Sequence, residues 1–383
     1  MEIGSVYEID PQSIADAGRD RNTPLQLKEV EKYGKKNIAY TASAREAISL
    51  ALQSMEKENP DICKKCLMPG YMCDTVFIPF EQNEWELCFY HIGKDMKADE
   101  RELRNLLEKE KPSLLFIHGY YGVDTWKELR PFLQECQKQG VQIMEDTTQA
   151  YYLETDYQAD YIIGSLRKWY AVADGGFLVT DHLIAEDVLE LDEYIAFGRL
   201  RMQIKKWNYL QAVAKGWEKL NDLQRSLLQK DKEEYLALNR LMENYLDQTS
   251  KVAEISVFSR NMLMQIDEEA CKNRRNANCR ILQEGLQNKK TLTPVMGEDC
   301  LDAAPLYFPV YMENRDDLQE YLRQRDIYVP VLWPIGKENA DCLSEDEKYI
   351  YSHLAAIPMD QRYGEEEMKR IVDVVEEYER SIL

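Results

Sequence analysis

The stretch "DYIIGSLRKWYAVADGGFLVT", residues 160–180, decides the fold. Its two ends are rich in β-branched and aromatic residues and read as strands. Between them lies a polar passage that carries Ser165 and Lys168 and closes on Gly175 and Gly176. Each of these residues has an ordinary reading. A lysine in a loop after a strand is usually a solvated surface residue. A serine there usually bonds a local amide, and paired glycines let the backbone re-enter a strand. Whether the passage means more depends on what precedes it.

Upstream, short apolar runs alternate with segments of helical period. "ELCFYHI" (residues 86–92), "SLLFIHGYYG" (113–122) and "VQIMED" (141–146) read as strands, and "ERELRNLLEKE" (100–110) as a helix. "KELRPFLQECQKQG" (127–140) is a second helix, closed by Gly140 as its carboxyl cap. "SAREAISLALQSM" (43–55) offers Ala47, Ile48, Leu50, Ala51 and Met55 as a buried stripe, followed by a strand and Pro-Gly turn in "CLMPGYMCDTVFIPF". Alternation of this kind marks an α/β domain, and right-handed crossovers make most of its strands parallel.

Beyond residue 185 the character changes. Residues 187–246 contain almost no glycine or proline and many good helix formers, so long helices are expected. The run "QKDKEEY" (229–235) reads as a solvated helix face. "APLYFPVYM" (304–312) and "DIYVPVLWP" (326–334) then read as strands flanking a helix, and the terminal segment places Met368, Ile371, Val375, Tyr378 and Ile382 on one helical stripe. The expected organisation is a large domain over 1–250 that includes the long connecting helices, and a smaller α/β domain over 251–383.

Composition narrows the partners. The 383 residues carry 48 Lys and Arg against 69 Asp and Glu, a net charge of −21, so nucleic acid and anionic membranes are not expected to bind. No apolar run approaches the ~18 residues of a membrane span, and the amino terminus lacks the pattern of a signal peptide. A cytoplasmic protein is expected. The 9 cysteines are odd in number and scattered, which suits reduced thiols rather than a disulfide framework. Cys63 and Cys66 have the spacing of a redox or zinc pair, yet no second pair lies near them, and the 4 histidines are dispersed, so no metal is expected.

In open α/β sheets, ligands gather at the carboxyl ends of strands. Four sets of residues there merit weight: Glu145, Asp146 and Gln149; Ser165 and Lys168; His118; and the small residues that open the "SAREAI" helix. Asp146 can equally cap the following helix through the Thr148 or Gln149 amides. Together the sets suit pyridoxal phosphate, whose aldehyde needs an amine, whose ring nitrogen needs a carboxylate, and whose phosphate needs amides at a helix start. Order and spacing carry the argument: a helix start, then Asp146, Gln149, Ser165, Lys168 and the glycine pair.

In that order the sequence resembles the DegT-type sugar aminotransferases, enzymes of fold type I. "EIGSVYEI" (2–9), "SAREAI" (43–48), "EDTTQA" (145–150), "GSLRK" (164–168) with Gly-Gly, and the two small-domain segments 308–334 and 355–375 carry the resemblance. It implies a mixed, mostly parallel sheet between helices, with a small C-terminal α/β domain. Lys168 would bond the cofactor aldehyde and shuttle the proton, and Asp146 would pair with the ring nitrogen. Gln149 would contact the ring hydroxyl or ring face. Ser165 and the amides of Ala44 and Arg45 would hold the phosphate. It further implies a homodimer that moves an amino group, with glutamate as the expected donor, onto a keto sugar or related carbonyl acceptor in glycan or secondary-metabolite assembly.

Departures accompany the matches. Ala44 stands where the family commonly has glycine, and Cys73 where its ring-stacking aromatic falls, leaving Tyr71 as the candidate to stack instead. Leu200 in "GRLRM" replaces the asparagine that reaches a neighbouring subunit. Another pyridoxal phosphate reaction, such as a lyase step, and a non-catalytic sensor or partner subunit are the alternatives. The loop "HGYYG" (118–122) receives no assignment from the sequence. Arg201, Lys205 and Trp207 read either as contacts for an anionic acceptor or as helix surface.

Overall fold

A computed structural model describes residues 2–17, 28–216 and 219–382. Ten strands carry the two principal sheets: β1 Asn37–Thr41, β2 Lys65–Pro69, β3 Glu86–Tyr90, β4 Leu114–His118, β5 Gln142–Asp146, β6 Tyr161–Ser165, β7 Gly176–Thr180, β8 Leu292–Pro294, β9 Phe308–Met312 and β10 Leu354–Ile357. The seven-stranded sheet has the order β1-β7-β6-β5-β4-β2-β3. Its register pairs β2 with β3 and β4, and β4 with β5, in parallel, while β1 runs antiparallel to β7. The expectation of a mixed, mostly parallel sheet is met. Strands β4, β6 and β7 are buried at every position, as in sheets covered by helices on both faces.

By internal contacts the chain forms two compact units. One comprises Ser5–Lys57 and Ile163–Ile266; the other comprises Glu2–Gly4, Glu58–Ile162 and Asp267–Leu383.

In the first unit, the helix Ala44–Glu58 follows β1 directly and buries Ala47, Ile48, Leu50, Ala51 and Met55, the stripe its periodicity predicts, together with Leu52. The low-glycine region folds as two long helices, Tyr194–Ala214 and Asp222–Gln248. A capping box at Asn221 and Gln224 starts the second, because two amides that the helix itself cannot satisfy gain side-chain partners. Met202, Tyr209 and Tyr235 form the seam of this pair. The run 229–235 is therefore less solvated than its charges suggest: Tyr235 is buried, and Asp231 and Glu234 both take the Lys205 ammonium. Lys205 is thereby engaged within the helical pair. Trp217 and Glu218 lie outside the described residues.

In the second unit, the three-stranded antiparallel sheet β8-β9-β10 packs with the helix Glu268–Leu286, which in turn packs on the helix Glu365–Ile382. Met368, Ile371, Val375 and Tyr378 are buried as expected, but Ile382 is half exposed at the last helical position, and Val374 takes a place in the stripe. The segment expected as a strand over 326–334 pairs only at Ile327 and Tyr328, in parallel with Ile3 and Gly4. Pro330 and Pro334 lack the amide a longer ladder requires.

Candidate active site

In the second unit, β4 and β5 end side by side, and the parallel register sets His118 opposite Asp146. Both side chains are buried. His118 Nδ1 lies 3.2 Å from Asp146 Oδ2. Among the described residues neither imidazole nitrogen completes a well-aligned hydrogen bond, so this is a close approach rather than a directed bond. The other carboxylate oxygen, Oδ1, accepts the Thr148 amide at 2.8 Å. The local capping role thus exists, but in a turn rather than a helix, and it leaves Oδ2 facing the imidazole.

The unassigned loop after His118 closes this corner. Tyr120 and Tyr121 are buried, and Tyr121 takes a left-handed backbone, φ 53°. Its amide donates to Gln149 Oε1 at 3.2 Å, and its hydroxyl meets that of Tyr71 at 3.2 Å. Tyr71 also packs on Tyr120, with ring centroids 5.7 Å apart, and on Trp333 at 4.8 Å. Trp333 stands edge-on to His118 at 5.6 Å. Desolvation pushes the Tyr71 and Tyr120 hydroxyls well up, and the Tyr121 hydroxyl up as well, so these phenols stay protonated. Gln149 and Tyr71 are therefore brought together through Tyr121. The Cys73 thiol pairs with the Thr75 hydroxyl, 3.1 Å away, at the start of a short helical turn.

In the first unit, β6 ends at the buried Ser165 and passes into one turn of 3-10 helix, Leu166–Lys168. The Leu166 amide bonds the Gly175 carbonyl, which ties the two sides of the opening stretch together. Lys168 ends that turn with an exposed side chain. Gly176 fits where no other residue would. A Cβ there would lie 2.3 Å from the Ser43 carbonyl carbon and 2.7 Å from the Ala44 nitrogen, so β7 runs against the backbone that opens the Ala44 helix. Ala44 and Arg45 are the first two residues of that helix, where backbone amides lack intrahelical partners.

The charges here converge on Glu243 of the second long helix. Arg199 reaches it at 2.5 Å, Arg45 at 2.9 Å and Arg167 at 3.4 Å, and Arg45 also pairs with Asp247. Burial works to raise the Glu243 pKa, but Arg167, Arg199, Lys168 and Arg45 outweigh it and hold the carboxyl well below its usual range. Arg199 is pushed down to about 10, first by burial and then by Arg167. Next to Arg45, Glu46 is buried and its pKa is pushed up to about 8, chiefly by desolvation. Asp174 is raised by burial as well, although Ser256 donates to it through both its amide and its hydroxyl.

Of the residues singled out from sequence, Ala44, Arg45, Ser165 and Lys168 fall in the first unit, and Asp146, Gln149, Tyr71 and Cys73 in the second. Arg45 and Lys168 share the Glu243 charge. Sequence reading missed His118 as the neighbour of Asp146, Tyr121 as the partner of Gln149, and Glu243 altogether. The first was within reach, since both residues end strands; the other two depend on a loop and a helix that no local spacing places.

No family model and no curated protein matches this sequence. Solved structures do match. TlmJ, an aminotransferase from Streptoalloteichus hindustanus, superposes with a TM-score of 0.68 at 12% identity, covering 100% of both chains. A putative sugar aminotransferase of Streptococcus pneumoniae, Spr1654 in its PLP form, gives 0.67 at 14% identity with 100% of both chains covered. PseC of Helicobacter pylori, an aminotransferase of pseudoaminic acid biosynthesis, gives 0.66 at 14% identity, again over 100% of both chains. The fold is that of the sugar aminotransferases. The likeness spans the whole chain, so the fold type expected from the quoted motifs is present from end to end. Among the described residues, no helix is long and apolar enough to cross a membrane.

Proposed function

We propose that the protein is a pyridoxal phosphate-dependent aminotransferase of the DegT type, acting on a keto sugar or related carbonyl acceptor with glutamate as amino donor. The observation that carries this reading is the buried Asp146 carboxylate, with one oxygen fixed by an amide and the other set toward a buried imidazole. A carboxylate held that way at a strand end suits a protonated ring nitrogen, and Lys168 supplies the amine. Two further observations support the phosphate role assigned to the first unit: Ser165 is buried, and β7 crosses against the helix start at Ala44 without room for a side chain.

When bound, pyridoxal phosphate supplies an aldehyde that condenses with amines and a ring that accepts the electrons of a broken C–H bond. The protein's residues would do the rest. Lys168 holds and returns the proton at the substrate carbon. Asp146 keeps the ring nitrogen protonated, and His118 orients Asp146. Gln149, itself fixed by the Tyr121 amide, contacts the ring, with Tyr71 the candidate for its face in place of Cys73. Ser165 and the amides of Ala44 and Arg45 take the phosphate. Residues 1–250 act as the cofactor-binding domain and 251–383 as the small domain, in a cytoplasmic homodimer.

The test is optical. Purified protein with added pyridoxal phosphate gains a visible absorbance band that borohydride bleaches and Lys168→Ala lacks, and glutamate shifts that band to the amine form. A protein that takes up no pyridoxal phosphate overturns the reading; a band that glutamate leaves unchanged overturns the aminotransferase assignment.

A further inference from the structure

All 9 cysteines are free thiols. Two of them are nevertheless in contact. Cys279 lies in the helix Glu268–Leu286 and Cys300 ends the helical turn Gly297–Cys300. Their sulfurs are 3.3 Å apart, and both residues are buried. Nothing in the sequence joins them, since residues 280–299 intervene. The pair whose spacing suggests redox chemistry, Cys63 and Cys66, behaves differently. Cys63 is exposed, while the Cys66 thiol is sealed in β2, directs its hydrogen at the Leu67 carbonyl and is pushed well up by desolvation.

We propose that Cys279 and Cys300 form a redox-active dithiol that closes to a disulfide with hydrogen peroxide as oxidant. A disulfide needs sulfurs that can approach to about 2.05 Å with little backbone movement, and van der Waals contact at the outset meets that need. The surroundings hold both partners in place. The Ala303 amide bonds the Cys300 carbonyl, the Ala304 amide bonds Asn276 Oδ1 at 2.8 Å, and Arg275 bonds the Pro305 and Leu306 carbonyls at 3.0 and 3.1 Å. The helix that carries Cys279 is thus tied to the segment after Cys300 on several sides of the sulfur pair.

The two sulfurs are not equivalent. The Cys279 hydrogen points at Cys300, which lowers the Cys300 pKa and raises that of Cys279. Cys300, the sulfur that accepts from its neighbour at 3.3 Å, is assigned as the one that reacts first. Its sulfur attacks one peroxide oxygen, the O–O bond breaks, and water leaves with the Cys300 sulfenic acid formed. The Cys279 sulfur then attacks that sulfur, the S–O bond breaks, and hydroxide leaves with the Cys279 proton as a second water. Two thiols lose two electrons, and one peroxide becomes two waters.

The segment fixed by this bond leads to the loop beside His118. A Cβ on Gly122 would lie 3.0 Å from the Ala303 carbonyl oxygen, so the Tyr120–Gly122 turn rests on the chain three residues beyond Cys300. Closing the disulfide removes freedom from that support.

The experiment treats the full chain with hydrogen peroxide, alkylates it in denaturant and maps the cysteine peptides by mass spectrometry. The expected product is a Cys279–Cys300 peptide pair about 2 Da lighter than the two thiol peptides together and restored by dithiothreitol. Cys279→Ser should stop at a dimedone-reactive sulfenic acid on Cys300, whereas Cys300→Ser should leave Cys279 unmodified. The two variants serve as alternatives should one fail to fold. Wild-type protein that keeps both thiols open to alkylation while the exposed Cys63 and Cys342 oxidise overturns the proposal. So does a disulfide that joins either sulfur to a different cysteine.

Discussion

His118 Nδ1 and Asp146 Oδ2 stand 3.2 Å apart at the ends of two paired parallel strands. The backbone carries this relationship, because the register alone sets the two residues opposite each other and the Gly119 amide bonds the Asp146 carbonyl at 3.1 Å just beyond them. An aromatic wall of Tyr120 and Trp333 holds the imidazole in place, with ring centroids 4.7 and 5.6 Å from its own.

Two substitutions should separate the roles in this pair. Asp146→Asn removes the charge that would keep a ring nitrogen protonated and is expected to lower kcat about 100-fold or more, on the scale of losing one buried electrostatic partner. His118→Phe keeps the packing and removes only the polar neighbour of Asp146, so a smaller fall is expected, on the order of 10-fold. Steady-state kinetics on the two variants checks the ranking; equal losses would remove the distinction between contact and orientation.

Gly176→Ala tests the close approach at the helix start. The new methyl would meet Ser43 and Ala44 backbone atoms that cannot rotate away. Destabilisation of about 3 kcal/mol is expected from overpacking, together with weaker uptake of pyridoxal phosphate. Urea titration and a cofactor-binding curve measure the two effects, and unchanged values in both would contradict the contact.

Glu46 gives stability a pH slope. Its folded pKa of about 8 lies above the ordinary carboxylate value of 4.5, so its protonated form is the one the folded chain accommodates. That contribution is fully present below about pH 4.5 and is lost as pH rises through 8, to a total on the order of 5 kcal/mol. Glu46→Gln is expected to flatten the fall in unfolding free energy between pH 5 and 8. Parallel profiles for the variant and the parent would show that Glu46 does not set the slope.

The Glu243 carboxyl has the opposite sign. Its pKa is held below the unfolded value, so its contribution is present above about pH 4.5 and lost as pH falls through the lower folded value. About a third of the side chain is exposed, which screens the pairing. Glu243→Gln is expected to cost about 1 to 2 kcal/mol at pH 7, with the difference narrowing in acid. Chemical denaturation at pH 7 and pH 4 reads both values.

Several of these features were legible in the sequence. The alternation of strand and helix, the buried stripe of the Ala44 helix and the long helices beyond residue 185 all follow from local periodicity and helix propensity, which act over a few residues. Asp146, Ser165 and Lys168 could be placed at strand ends because a strand end is itself a local signal. The run 229–235 misled for the same reason: its charges look solvated until a second helix brings Lys205 to Asp231 and Glu234.

By itself, then, the sequence determined which segments are strands and helices and which polar residues stand at their ends. Only the tertiary structure decided which of those ends meet. Strand register set His118 against Asp146, a left-handed Tyr121 brought Gln149 to Tyr71, a distant helix delivered Glu243 to three arginines, and a helical turn carried Cys300 to Cys279. Each of these contacts joins residues whose separation in sequence carries no periodic signal. Pairing of strands and burial of whole faces select them, and those forces act on the folded chain as a unit.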